Sequence, residues 1–362
     1  MTETQPKVTF TKNYGFRKEL NRRVDAYFQS QNISTRDNPA MYIKTAVLFS
    51  WVISAWVFTL FGPPQIWIKV ISCIFLGLGI AGVAFNVGHD ANHGAYSRKK
   101  IVNNILGITY DIIGLSSYLW KFRHNFLHHK YTNLLGHDVE IHGGGLVRMT
   151  VYVEHKWYHS FQHIFIWLIY TIIPFYWSIH DIGFITVNRK YHSYDIPTLK
   201  PIDLFIFVSG KFIWLGLFLG IPITIGYTPI QALIGFCITY MTYGLVSITI
   251  FMLAHVMEAA DFIDSSGDLK IEDEWAIFQT KTTVDFAPNN QFLTWYLGGL
   301  NYQVVHHLFP NICHIHYPQI SKILADVCED FGVKYNVCPN FRSALASNYR
   351  WLKLMGTAPH LD

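Results

Sequence analysis

Four apolar runs, at about Met41–Phe61, Ile66–Asn86, Leu204–Gly226 and Ile230–Ala254, constrain this chain more than anything else in it. Each is close to the roughly 20 residues that an α-helix needs to cross the hydrocarbon of a bilayer. Lipid offers the backbone no hydrogen-bond partners, so such runs must be helices that satisfy their own N–H and C=O groups. The connectors Gly62-Pro63-Pro64-Gln65 and Tyr227-Thr228-Pro229 are short and fold the four helices into two antiparallel hairpins. Two weaker stretches, about Ile101–Trp120 and Phe161–Ile179, are interrupted by Asn103, Asn104, Asp111 and His163. They are expected to lie in the membrane interface rather than to span it. The fold class is therefore all-α integral membrane, with four transmembrane helices in two hairpins plus interfacial helices.

Charge orients this arrangement. Neither hairpin turn holds a lysine or arginine. Apart from Lys69 and Lys211, which fall inside spans, the other 26 of the 28 lysines and arginines lie before or at the start of the first span, between the hairpins, or after the fourth span. The positive-inside rule then places both termini and the long middle segment on the cytoplasmic side. Lys211, near a span end, is expected to snorkel to the interface. Only 14% of residues are charged, against about 25% in soluble domains. The net charge of +4 is scattered and excludes a nucleic-acid partner. Five cysteines, Cys73, Cys237, Cys313, Cys328 and Cys338, show no CxxC pairing and read as reduced core residues. The polar N-terminus argues against a cleaved signal peptide.

The chemistry lies in the histidines, of which there are 18. Directly after the second span comes His89-Asp90-Ala91-Asn92-His93, whose two histidines would share one face of a continuing helix. His124-Asn125-Phe126-Leu127-His128-His129 repeats the spacing with one histidine more, and Gln303-Val304-Val305-His306-His307 follows the fourth span. His255 sits at the cytoplasmic end of that span. The deduced topology brings all of these out on one side, where they can surround one site. A lone HxxxH more often caps a helix or meets headgroups than binds a metal. Three dense clusters beside spans are another matter, because ionisable groups at a membrane boundary are costly without a function.

Eight neutral imidazoles exceed what one tetrahedral zinc uses and suit two transition-metal ions with open positions. The apolar frame implies a greasy substrate with unactivated C–H bonds. Cleaving one needs an oxidant made from O2, which zinc cannot supply, so iron is the expected metal. The carboxylate-rich pattern of soluble di-iron bundles is absent.

The boxes HDANH, HNFLHH and QVVHH, in this order around two hairpins, resemble the membrane fatty acid desaturase family, over about Asn38 to Phe331. Trp120-Lys121-Phe122 and His307-Leu308-Phe309-Pro310 are similar to it as well. Gln303 in the place of a first histidine resembles the front-end subgroup (Δ6- or Δ5-like), which inserts a cis double bond between an existing one and the carboxyl end. The resemblance implies His89, His93, His124, His128, His129, His306 and His307 as ligands of two irons, with His255 as an additional one. Gln303 would be a ligand or a hydrogen-bond partner of one. Asp90, Asn92 and Asp138 are candidates for holding imidazole N–H groups. It also implies O2 as co-substrate and a cytoplasmic helical cap over the di-iron site. The division is then 1–40 as an N-terminal segment, 41–331 as the membrane domain and 332–362 as a C-terminal tail, both ends cytoplasmic. The expected substrate is an acyl-CoA or acyl-lipid. With no redox motif of its own, the chain needs a ferredoxin or a b5-type cytochrome with its reductase. No HPGG haem loop is present, and Val305 stands where the subgroup often has Glu, two departures that bear on the electron donor and on regiospecificity.

Two rivals stand beside this reading: a hydroxylase with the same histidine architecture, and a membrane zinc hydrolase, transporter or sensor. The remaining histidines take a plainer role. His155, His159 and His163 would make a stripe on an interfacial helix, and His137, His142, His314 and His316 flank the boxes. Glu258 and Asp261, just beyond His255, are either outer supports or solvated carboxylates. Arg98-Lys99-Lys100 reads first as an anchor at lipid headgroups, and also as a contact for an acidic electron carrier or for coenzyme A phosphates.

Overall fold

The computed structural model describes residues 8–141, 143–191, 194–264 and 269–360. Helix α1, Phe16–Ser30, is amphipathic and buries Phe16, Leu20, Val24 and Phe28, four residues apart, on one face. Helix α2, Pro39–Phe61, starts where Asn38 accepts from the Ala40 N–H and ends at Gly62 ahead of two prolines. Helix α3, Ile66–Asn92, follows, then the short α4, Lys100–Gly107, and the wide-turned α5, Lys121–His128. The long helices α6, Trp157–Val187, α7, Pro201–Thr224, and α8, Pro229–His255, come next. Four shorter ones, α9 (Trp275–Thr282), α10 (Gln303–Leu308), α11 (Tyr317–Asp330) and α12 (Phe341–Met355), complete the chain.

Five of these helices, α2, α3, α6, α7 and α8, are long and apolar enough to cross a membrane. Protein buries 72% of the apolar window of α3 and 56% of that of α8, but only 22% in α2 and α7. The pair α3 and α8 is thus the inner seam, and the outer helices turn residues such as Ile43, Ile53, Phe205 and Phe212 outward. Lipid tails are as apolar as leucine, so such helices associate by close packing at small residues. A Cβ on Gly77 of α3 would lie 2.5 Å from the Thr239 carbonyl oxygen of α8, and one on Gly244 would lie 2.7 Å from that of Tyr170 in α6.

At α6 the helix is longer than the apolar stretch read from the sequence. The stretch read as interfacial, Phe161–Ile179, is part of a 31-residue helix that qualifies as a span by length and composition. It carries an exposed stripe of Ile164, Leu168, Ile172, Tyr176 and Ile179. Both of its ends are tied to the segments around the second histidine box. At one end Gln162 bonds the Arg148 backbone, and at the other Phe184 and Ile185 join a core with Leu127 and Tyr131. The second stretch, Ile101–Trp120, forms only short helices.

Lys211 also departs from expectation. Its ammonium turns inward, donating to the carbonyls of Gly114 and of Ser178, the latter at 2.8 Å. The Gly114 carbonyl follows the short helix Thr109–Ile112 and that of Ser178 lies within α6, so the charge is met by acceptors inside the protein. On the opposite side Lys69 joins the hairpins, bonding the Thr59 carbonyl at 2.7 Å and the Tyr227 hydroxyl at 2.7 Å.

Short strands fasten the chain ends to the cap. Val8–Phe10 pairs in parallel with Leu269–Ile271, and Asp285–Phe286 with Val337–Cys338. The segment after residue 331 contains α12, which packs against α6 and α8.

Candidate metal centre

The end of α3 does not run as a plain α-helix. Residues Ala84–Gly88 form a wider turn with i→i+5 hydrogen bonds, and His89–Asn92 then resume α geometry. Helix α5 has the wide form throughout, Lys121–His128. Five residues per hydrogen-bonded turn bring His129 under His124, their Nε2 atoms 3.2 Å apart. His124 and His128 still share a face, their rings stacked 5.1 Å apart, but their metal-facing atoms divide. His124 falls into a group with His89, His93 and His306, whereas His128 falls into one with His255 and His307. His129 lies between them, grouped with His306 and His307. In each group the ring atoms that would bind a metal lie within 4.8 Å of one another. The eight histidines of the three boxes and the end of α8 thus form one cluster, with ring centroids 4.6 Å apart for His128 and His255 and 4.3 Å for His129 and His307.

Burial sets the charge state. His93, His124, His129, His306 and His307 all have their pKa lowered, first by desolvation and then by repulsion from neighbouring imidazoles. Neutral rings carry the lone pairs that a metal ion needs. The outer nitrogens are held. His128 Nδ1 lies 2.9 Å from Asp138 Oδ2, His307 Nδ1 2.9 Å from Gln279 Oε1, and His306 Nδ1 3.2 Å from the Tyr317 hydroxyl. Such partners fix tautomer and ring orientation. The third box is braced from outside as well. Asp285 accepts from the Val304 N–H at 2.8 Å and from the Tyr335 hydroxyl, and burial pushes its carboxyl up to about 7.

The opposite nitrogens are not held. Nε2 of His93, His128, His306 and His307 is buried without a hydrogen-bond partner among the described residues. Buried polar atoms are otherwise paired in most proteins. His128, His306 and His307, each held at Nδ1 and bare at Nε2 among the described residues, are the kind of donor a transition-metal ion takes.

A model of the fatty acid desaturase family matches residues 64–339. The chain belongs to that family. It is an oxidoreductase that desaturates fatty acyl chains, and its family is di-iron dependent. It is 58% identical over 359 residues to an sn-1 linoleoyl-lipid 6-desaturase of Arthrospira platensis, covering 99% of this chain and 97% of that one. A second sn-1 linoleoyl-lipid 6-desaturase, from Synechocystis sp., is 52% identical over 98% of this chain and 99% of its own. An acyl-lipid (8-3)-desaturase of Physcomitrium patens is 28% identical over 95% of this chain and 72% of its own. Membership sets aside the membrane zinc alternative.

The other candidate residues of this desaturase take varied positions. Gln303 reaches the cluster, its amide nitrogen 2.9 Å from His255 Nε2. Asp138 supports His128 as described. Asp90 lies 4.0 Å from His89 Nδ1 but bonds His314 Nδ1 at 2.8 Å, and His314 Nε2 in turn meets Lys44 Nζ at 2.9 Å. Asn92 turns away to the Gly107 carbonyl. His155, His159 and His163 stay outside the cluster: the first two bond the carbonyls of Gly356 and Gly145, and His163 packs on Tyr349. His316 packs on Phe28, Glu258 pairs with Arg350, and the backbone carbonyl of Asp261 accepts from Asn133. His137 packs against Tyr131, and His142 is outside the described residues.

Sequence reasoning missed Gln279, Tyr317 and Thr132. Thr132 lies one turn beyond His128 and bonds both the His128 carbonyl and Gln279, so spacing alone would have found it. Gln279 and Tyr317 carry no such signal, because each reaches a histidine on a different element. Beside the cluster a cavity of about 80 Å³ opens on the α3–α8 seam, between Phe85, Trp120, Glu140, Tyr243, Ser247 and Phe251.

Proposed function

We propose that this desaturase introduces a cis double bond at carbon 6 of an acyl chain esterified in a membrane lipid, with linoleoyl chains as substrate, and that His89, His93, His124, His128, His129, His255, His306 and His307 hold two irons. The observation that carries the reading is the cluster of eight histidines, four of them with a bare Nε2 among the described residues, adjoining a cavity on the inner helical seam. The linoleoyl-lipid 6-desaturases that share more than half of its residues support the position and the carrier.

Two irons, when bound, supply the oxidising power of O2 that removes two hydrogens from neighbouring methylenes. The residues of this chain do the positioning. Asp138, Gln279 and Tyr317 aim the imidazoles and keep each outer N–H engaged. Phe85, Trp120 and Phe251 wall the cavity, exclude water and leave a methylene pair beside His89 and His124. Electrons come from outside, from a ferredoxin or a b5-type cytochrome with its reductase.

The reading includes a topology. Four helices, α2, α3, α7 and α8, cross the membrane, α6 lies along the interface, and termini and histidines face the cytoplasm. Parity supports this: with three full crossings between them, Asn92 and His255 would end on opposite faces, yet His89 and His255 belong to one cluster. The lysine-free and arginine-free hairpin turns support the sidedness.

The test is expression in a desaturase-poor host fed linoleate or a saturated acid, with gas chromatography–mass spectrometry of the lipids. A new bond at carbon 6 of linoleoyl lipid is the expected product, lost in His128→Ala and His307→Ala. A bond formed only in the saturated acid, or a hydroxylated product, overturns the assignment.

A further inference from the structure

The position of the double bond places a second demand on the site, one that rests on the reading above. Carbon 6 is separated from the ester carbonyl carbon by five bonds, so at about 1.5 Å each the ester lies no more than about 8 Å from the reacting carbon. A hydrogen-bond acceptor must therefore enter the interior beside the histidine cluster, and a buried acceptor without a donor is unfavourable.

Several of the donors that line the cavity are already engaged, the Tyr110 hydroxyl with the Ala84 carbonyl and the Gln303 amide with His255. The histidine rings are committed, and the Ser247 hydroxyl already donates to the Tyr243 carbonyl at 2.7 Å. Glu140 and Trp177 both line the cavity, and behind them lies Arg123, which precedes His124 directly. Arg123 is 4% exposed. Its guanidinium sits over the Trp177 ring at 5.2 Å, with Nε 3.5 Å from Glu140 Oε1 and Nη1 3.4 Å from Asp181 Oδ1. An arginine that only bolts two elements together closes on carboxylates at about 2.7–2.9 Å. These contacts are slack, and among the described residues Nη2 and Glu140 Oε1 are buried with no hydrogen-bond partner, the Tyr191 ring lying 5.8 Å from the guanidinium. Two carboxylates and the rings of Trp177 and Tyr191 hold the guanidinium in place, while Nη2 has no partner among the described residues.

We propose that Arg123, braced by Glu140 and Asp181, donates to the ester carbonyl of the acyl lipid and so sets the number of carbons between the ester and the histidine cluster. It is a specificity-determining residue, and the ligand chemistry it reads is an ester carbonyl rather than a headgroup.

The experiment uses the full chain in membranes. Wild type, Arg123→Lys and Arg123→Gln are given linoleoyl-ester lipid, with the matching linoleyl-ether lipid, which lacks the carbonyl, as competitor. Iron content and thermal unfolding are measured on each protein. Wild type should favour the ester at least tenfold over the ether. Both variants should keep two irons, lose that preference, and spread the new bond over positions other than carbon 6, and Arg123→Lys, which keeps a charge between Glu140 and Asp181, should also keep the wild-type melting temperature. An unchanged preference with an unchanged bond position overturns the proposal. So does loss of iron or of the fold in both variants, which would make Arg123 a structural bolt, and so does a wild type indifferent to ester or ether. If wild type makes no carbon-6 bond from the ester lipid at all, it is the functional reading beneath that fails.

Discussion

The hairpins and the histidine layer of this desaturase are both largely helical, and they are held together in opposite ways. Below the cluster, the α3–α8 seam closes through small residues and aromatic rings, and polar contacts are few, with Lys69 and Lys211 conspicuous among them. Within the cluster, ring after ring is buried and each support bears on one particular nitrogen. Apolar packing tolerates exchange among residues of similar volume, whereas a buried polar network loses its function when a single partner goes. Damage to the two regions should therefore differ in kind: chemistry fails in one and stability in the other.

The largest effect tests that division directly. His128→Ala and His307→Ala should abolish product and deplete bound iron while leaving the amount of membrane-inserted protein at wild-type level. Loss of the protein from the membrane would show that cluster and hairpins are not separable. Gln279→Leu and Asp138→Ala come next. Each removes the outer partner of one ring, and each should lower activity or iron affinity by about 10- to 100-fold. A change under twofold would mean that packing alone aims the imidazoles.

Acid gives a graded version of the same contrast. His93, His124, His129, His306 and His307 have pKa values below their unfolded value of about 6.5, so the unfolded chain binds more protons as pH falls through that value. Iron-free protein should hold its full stability above about pH 6.5 and lose it progressively below, as read by melting temperature between pH 5 and 8. A profile flat across that range would mean that the buried rings do not control folding. The smallest effect on chemistry belongs to the far side. Lys69→Met strips the Thr59 and Leu60 carbonyls of a charged donor and should cost about 1–3 kcal/mol, with turnover of the inserted enzyme within twofold of wild type. A tenfold drop in turnover would show that the far ends of the hairpins govern the cluster.

Much of the hairpin half was legible in the sequence, because burial in lipid leaves a compositional mark. The expected first and fourth spans, 41–61 and 230–254, differ from Pro39–Phe61 and Pro229–His255 by no more than two residues at either end. Hydropathy alone does not decide α6, because an apolar helix looks the same whether it crosses a bilayer or lies along its surface. The histidines were legible as clusters, but the way they divide was not. That division follows from the wide turns at Ala84–Gly88 and Lys121–His128, and residue type does not announce such a turn. Gln279 stayed hidden for another reason: its contact with His307 bridges two elements, and no local spacing encodes it.

The cluster draws on residues from His89 to His307, so more than four-fifths of the chain must leave the ribosome before all eight histidines exist. The two hairpins can insert one after the other and pair through their apolar faces, with Lys69 bridging them. His306 and His307 arrive last and complete both groups. Maturation is therefore ordered by the chain itself: insertion comes first, closure of the cap second, metal loading third. A ribosome stalled before residue 300 would leave a stable membrane stub that binds iron poorly, and quality control in the cell can read that difference.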